Sequence, residues 1–186
     1  MLGAEQHGHL DAVGYDLYMK LLSEAVLEEK GEKTEKEAEC SIDIRVDAYI
    51  PESYISSPGQ RIEQYKHIAT IRTPEDADDI ADALLDRYGE YPVAVENLLA
   101  IALIKADCQH FGFTRLEQRE GQLIFHIPDL DAGAWVNMFH ALPDFRLRAA
   151  PGEPSRVFVQ IPKKMTSLKA AQKLLETYAL QVTDEE

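Results

Sequence analysis

The stretch between Pro92 and Gly112 constrains the fold most. It holds Leu98, Leu99, Ile101, Ala102, Leu103, Ile104 and Ala106, which leave a helix there little polar circumference. A helix that is apolar nearly all round needs other elements packed about it. No run in the chain approaches the roughly 20 consecutive apolar residues that a bilayer span requires. The expectation is therefore a central core helix in a cytoplasmic protein.

The elements around this helix can be read from periodicity and punctuation. Thr73 suits an N-cap, Pro74 the first helical position, and Glu75 and Asp76 the positive end of the dipole, with Gly89 as the stop. Ala77, Ile80, Ala81, Leu84, Leu85 and Tyr88 form the inner face of this helix, and Glu75, Asp79, Asp82 and Asp86 its outer face. A preceding helix over about 60–71 is expected to bury Ile62, Tyr65, Ile68 and Ala69, following an ordered loop or turn made by Pro51 and Ser56-Ser57-Pro58-Gly59. Ile42, Ile44, Val46 and Ala48 alternate with Asp43, Arg45 and Asp47, the pattern of a strand with one buried face.

Beyond Gly112, residues 114–119 and 122–127 read as a hairpin around Glu120-Gly121, with Leu123, Phe125 and Ile127 inward. A short helix around Trp135 and Phe139, strands over 145–148 and 156–161, and a last helix over 167–180 complete the order. Helices and strands come in runs instead of alternating. The fold class is thus α+β, a small and mostly antiparallel sheet packed with several helices. In front of it, a long helix over about 9–30 carries two apolar stripes, Leu10-Val13-Leu17-Leu21 and Tyr15-Tyr18-Leu22-Val26. The segment from Glu28 to Glu37 contains no apolar side chain and reads as a solvated linker. These boundaries divide the chain into 1–30, a linker over 31–39, and a domain over 40–186.

Chemistry is sparse. The chain has no GxxxxGK[ST] phosphate loop, no GxGxxG fingerprint, no GxSxG elbow and no HExxH pair. His7 with His9, and Cys108 with His110, have a spacing that points helical side chains apart, and no second ligand pair matches them. Cys40 and Cys108 read as core thiols, although sequence alone leaves a disulfide between them open. Asp76, Asp78 and Asp79 lack the glycine and terminal glutamate of a calcium loop and read as a solvated helix face. Nineteen Lys and Arg against 33 Asp and Glu give a net charge of −14, a field that repels duplex DNA and anionic lipid. A row of carboxylates on a rigid helix is instead suited to the arginines of another protein. The residues assemble no catalytic site, and no metal or cofactor is expected on this chain.

Leu2-Gly3-Ala4-Glu5-Gln6-His7-Gly8-His9, continuing through Val13-Gly14-Tyr15-Asp16-Leu17-Tyr18, closely resembles the segment after the last helicase motif of bacterial transcription-repair coupling factor (Mfd). His7 stands where that family usually has serine. The similarity continues through Ile50-Pro51-Glu52-Ser53-Tyr54-Ile55, Arg61 with Tyr65-Lys66, and Asp86-Arg87-Tyr88-Gly89-Glu90-Tyr91-Pro92. It reaches about residue 112, beyond which only the order of elements matches.

The resemblance implies a parent protein that is an ATP-driven, Mg-dependent translocase on double-stranded DNA. That parent displaces RNA polymerase stalled at a lesion and recruits nucleotide excision repair through UvrA. Residues 1–30 would then be the end of the motor, with Gln6 matching the glutamine of the motif that couples hydrolysis to DNA movement. The terminal domain would mask the parent's UvrA-binding module, with Asp86 matching an acidic position that faces it. Ala83 stands where some relatives carry glutamate. An autoinhibitory role is the leading expectation. A scaffold that binds an outside partner directly is the alternative, and a cryptic hydrolase a third, opposed by the missing motifs.

Overall fold

A computed structural model describes residues 40–183 as five helices and one five-stranded mixed sheet, an α+β arrangement. The expected long helix over 9–30, the linker over 31–39 and Gln6 lie outside the described residues. The elements are β1 (Ser41–Asp43), α1 (Pro58–Ile68), α2 (Pro74–Tyr88), α3 (Val93–His110), β2 (Arg115–Arg119), β3 (Gln122–Ile127), α4 (Ala132–Ala141), β4 (Arg146–Ala150), β5 (Ser155–Gln160) and α5 (Ser167–Thr183). They group into two compact units. Among the described residues, Arg45–Ala106 form the first, while the second combines the β1 segment through Ile44 with the chain from Asp107 onward.

The first unit is helical. Ile50, Ile55, Ile68, Ile71, Leu84, Val95, Leu98, Leu99 and Ala102 form its core, flanked by Tyr54, Tyr65, Ile80, Tyr88 and Tyr91. As its composition requires, α3 is the most buried helix, with Val95 and Leu98 both fully buried. Three expectations need correction here. The Ser56–Gly59 cluster is loop only as far as Ser57, and Pro58 already opens α1, because Ser57 Oγ accepts from the Gln60 amide and Pro58 fits the first helical position. Ile62 is 41% exposed, and Gln64 is buried in its place, since α1 turns a narrower stripe inward. Leu85 is 46% exposed, at the margin of a stripe centred on Leu84.

The strand expected over residues 42–48 is also shorter. Its ladder stops at Asp43. Beyond that point the backbone finds other partners, with Asn97 Nδ2 donating to the Asp47 carbonyl and the Tyr49 amide to the Ala94 carbonyl. Backbone groups satisfied in this way no longer need a neighbouring strand.

In the second unit the strands run in the order β1-β2-β3-β5-β4, with β1 parallel to β2 and every other pair antiparallel. Glu120 and Gly121 form the two-residue hairpin loop with φ of 48° and 75°, the left-handed pair that matches the twist of the flanking strands. Leu116, Leu123, Phe125, Ile127, Val157 and Val159 alternate onto one face and are buried. Phe125 there meets Trp135 of α4, and Phe113 meets Tyr178 of α5, within an aromatic cluster completed by Phe111. Cys40 and Cys108 are both free, buried thiols, and the neighbouring Cys40, together with burial, pushes the Cys108 thiol well up.

The opposite face of the sheet is polar. Its Glu117 is buried and takes Arg119 Nε at 2.9 Å, His126 Nε2 at 3.0 Å and Arg115 Nη2 at 3.2 Å. Burial pushes this carboxyl up, but the His126 hydrogen bond and the two guanidiniums outweigh it and hold Glu117 below the usual range. A depressed carboxylate stabilises the fold above its unfolded pKa, and the contribution disappears as pH falls through its folded value. Glu117→Gln should therefore cost about 1–2 kcal/mol at pH 7, a figure kept low because both arginines are solvent-accessible. Urea titrations should show the gap between variant and wild type closing as pH falls below the ordinary carboxylate range. A gap independent of pH would remove the ionic explanation.

Candidate interaction face

The acidic row on α2 is fixed from both ends. At the start, Thr73 Oγ1 accepts from the Asp76 amide, and Asp76 Oδ2 accepts from the Thr73 and Arg72 amides at 2.9 Å each. This reciprocal cap satisfies donors that a helix start otherwise leaves open. Those two backbone hydrogen bonds, Arg72's first, hold the Asp76 carboxyl below the ordinary range. Asp76 therefore belongs to the cap, and among the described residues no cluster of His, Cys, Asp or Glu could hold a metal ion.

The end of α2 is held by Tyr54, a role that sequence reading did not assign. Its hydroxyl donates to the Gly89 carbonyl at 3.0 Å and lies 3.2 Å from the Leu84 carbonyl, while its ring meets Tyr88 edge-on at 5.9 Å. Burial, and then the neighbouring Tyr88 and Tyr91, raise the Tyr54 pKa. Gly89 adopts φ 83°, a conformation that favours glycine, and its amide donates to the Leu85 carbonyl. Tyr54→Phe should loosen this end and lower stability by about 1 kcal/mol. Amide exchange at Gly89 should accelerate in the variant, and unchanged exchange would show that the ring contact alone suffices.

Other family-like residues prove structural. Arg61 Nη1 donates to the Ile55 and Ser56 carbonyls at 2.7 and 3.1 Å, and Tyr65 Oη accepts from the Ile50 amide at 2.8 Å. The segment from Ile50 to Ile55 is thus the brace against which α2 is set. The sequence marked this segment only through the family resemblance of Ile50-Pro51-Glu52-Ser53-Tyr54-Ile55.

Between these anchors Glu75, Asp79, Asp82 and Asp86 are all exposed, at steps of four, three and four along one side of the helix. Among the described residues none of the four makes an ion pair. Arg87, the only basic residue of α2, lies over the Tyr88 ring at 5.2 Å. Asp86 sits in the last turn, where the helix dipole disfavours a negative charge. Ala83 is exposed beside it. The arrangement is a rigid anionic ridge able to meet cationic side chains of another surface.

Residues 44–132 match the TRCF domain family model. A transcription-repair-coupling factor of Bacillus subtilis (strain 168) is 44% identical over 106 residues, covering 56% of this chain and 9% of that protein. Factors of the same description from Staphylococcus haemolyticus and Staphylococcus aureus are 41% and 39% identical over 125 and 129 residues, covering 66% and 68% of this chain. The chain spans about a tenth of the length of these relatives, from 9% to 11%. A crystal structure of the C-terminal domain of transcription-repair coupling factor shares the fold, with a TM-score of 0.69 at 21% identity, covering 80% of this chain and 97% of that one. Residues 44–132 are a TRCF domain, and through it the chain belongs with the transcription-repair coupling factors.

Proposed function

We propose that this chain is the C-terminal regulatory part of a transcription-repair coupling factor and that its acidic α2 ridge masks the UvrA-binding module of the parent protein. The observation that carries this is the ridge itself. Glu75, Asp79, Asp82 and Asp86 stand in one exposed row, without ion pairs among the described residues, on a helix capped at one end and clamped at the other. A rigid row of this kind costs little ordering entropy when a basic surface meets it.

In this reading residues 1–30 end the translocase motor, Gln6 couples ATP hydrolysis to movement on duplex DNA, 31–39 link the two parts, and 40–186 form the terminal domain. The parent supplies the ATP and Mg chemistry and contacts RNA polymerase, UvrA and DNA, while this chain supplies no catalytic group. No described helix is long and apolar enough to cross a membrane.

The test is a titration of the purified chain against the upstream UvrA-binding module across a salt series. Saturable binding that weakens steeply with salt is expected, because the contact is between charged surfaces. Absence of binding at low salt would overturn the masking role. Binding of UvrA itself to the chain would favour the scaffold alternative.

A further inference from the structure

We infer that the free edge of β4 is a docking site for an extended segment of a partner protein in which acidic and apolar residues alternate. The strand order leaves β4 at the border of the sheet, paired on one side only, with β5. Among the described residues, no backbone hydrogen bond joins its outer edge to another element. Such an edge presents a row of donors and acceptors that an added strand can complete.

The two faces beside that edge differ in chemistry, and the difference selects the occupant. On the polar face, Arg146, Arg148 and Arg156 make no ion pair among the described residues, in contrast to Arg115 and Arg119, which share Glu117. Arg148 lies over the Phe158 ring at 4.1 Å, with Arg156 at 5.6 Å from the same ring, so these guanidiniums are oriented but not neutralised. An adjoining groove of about 920 Å³ adds Lys163, Lys164 and Lys173 and a single carboxylate, Asp144. In a chain of net charge −14, this is a local excess of positive charge.

On the other face, Leu147 and Ala149 of β4 border an apolar groove of about 320 Å³ against α4, whose Val136 and Phe139 are 59% and 58% exposed. Side chains of an added strand alternate between the two faces. One set would meet the arginines and the other the apolar groove. A second copy of this chain fits poorly, because antiparallel pairing of β4 with itself centred on Arg148 sets two guanidiniums side by side. A nucleic acid could use the arginines but has no strand backbone to offer the edge.

The test uses the 186-residue chain and a fluorescent decapeptide of alternating glutamate and valine. A lysine–valine peptide and a labelled oligothymidylate serve as comparisons. Saturable binding of the acidic peptide is expected, with shifts in the amide resonances of Arg146–Ala150. Arg146→Glu with Arg148→Glu, and separately Phe139→Ser, should each weaken it by at least about tenfold, since one change reverses the charge pairs and the other opens the apolar groove. All three positions are exposed, so both variants should fold. No saturable binding, shifts confined to other strands, or indifference to either variant would overturn the proposal. So would binding of oligothymidylate that depends on the arginines but not on Phe139, which would make the face a nucleic-acid surface.

Discussion

Reversing Asp82 and Asp86 to lysine is expected to leave the fold intact and to weaken masking of the UvrA-binding module by about tenfold or more. Both residues are exposed and unpaired among the described residues, and exposed substitutions seldom change stability by more than about 1 kcal/mol. Lysine at position 86 should help slightly, because the last helical turn favours a cation by about 0.3–1 kcal/mol. Close charge pairs across an interface couple by about 1.5–7 kcal/mol, and each 1.4 kcal/mol is about tenfold in affinity. Losing one such pair is therefore measurable, and reversing two charges adds repulsion. In the full-length protein, UvrA pull-down should rise without ATP or polymerase. Glu52→Lys with Glu63→Lys, the same charge change on exposed residues outside α2, serves as the control. Equal and low recovery from wild type and both variants would leave the ridge as a solvated surface.

Phe113→Ala should be the most damaging single change in the second unit. Phe113 is 1% exposed, with ring centroids of Tyr178, Phe111, Phe125 and Trp135 at 5.3, 5.8, 5.9 and 6.4 Å. Truncating a buried phenylalanine costs about 3–5 kcal/mol, against a total of about 5–15 kcal/mol for a typical domain. The ring lies just after Gly112, whose φ of 73° turns the chain out of α3, so backbone movement to refill the space is restricted. Urea unfolding followed by fluorescence of Trp135, the single tryptophan, measures the loss directly. A change below about 1 kcal/mol would mean that the four remaining rings close the gap.

Local signals were readable where they were self-sufficient. Thr73-Pro74-Glu75-Asp76 and Glu120-Gly121 each dictate a backbone conformation through their own chemistry, and both appear where the sequence puts them. The acidic row was equally legible, because helical spacing alone sets Glu75, Asp79, Asp82 and Asp86 on one side. Features set by distant partners were not. Alternation ran on to Ala48, but whether a ladder continues depends on which residues, such as Ala94 and Asn97, lie beside it. Gln64 displaced Ile62 from the interior for the same reason, since neighbouring elements decide which stripe of α1 turns inward. The arginine face needed the strand order, as Arg115, Arg119, Arg146, Arg148 and Arg156 come from three strands and look scattered along the chain. The clamp by Tyr54 joins residues 35 apart in sequence, a distance over which periodicity carries no information.

The two interior cysteines give this protein a built-in clock for its own opening. Cys40 and Cys108 are the only thiols of the chain, both belong to the second unit, and both are at most 1% exposed. An alkylating reagent needs a thiolate it can reach, and here access is closed while the raised Cys108 pKa keeps the reactive form scarce. Labelling must then wait for the structure around these two thiols to open, so modification followed by mass spectrometry would time that event without any engineered probe. The first unit has no cysteine among its described residues, so every label would lie in the second.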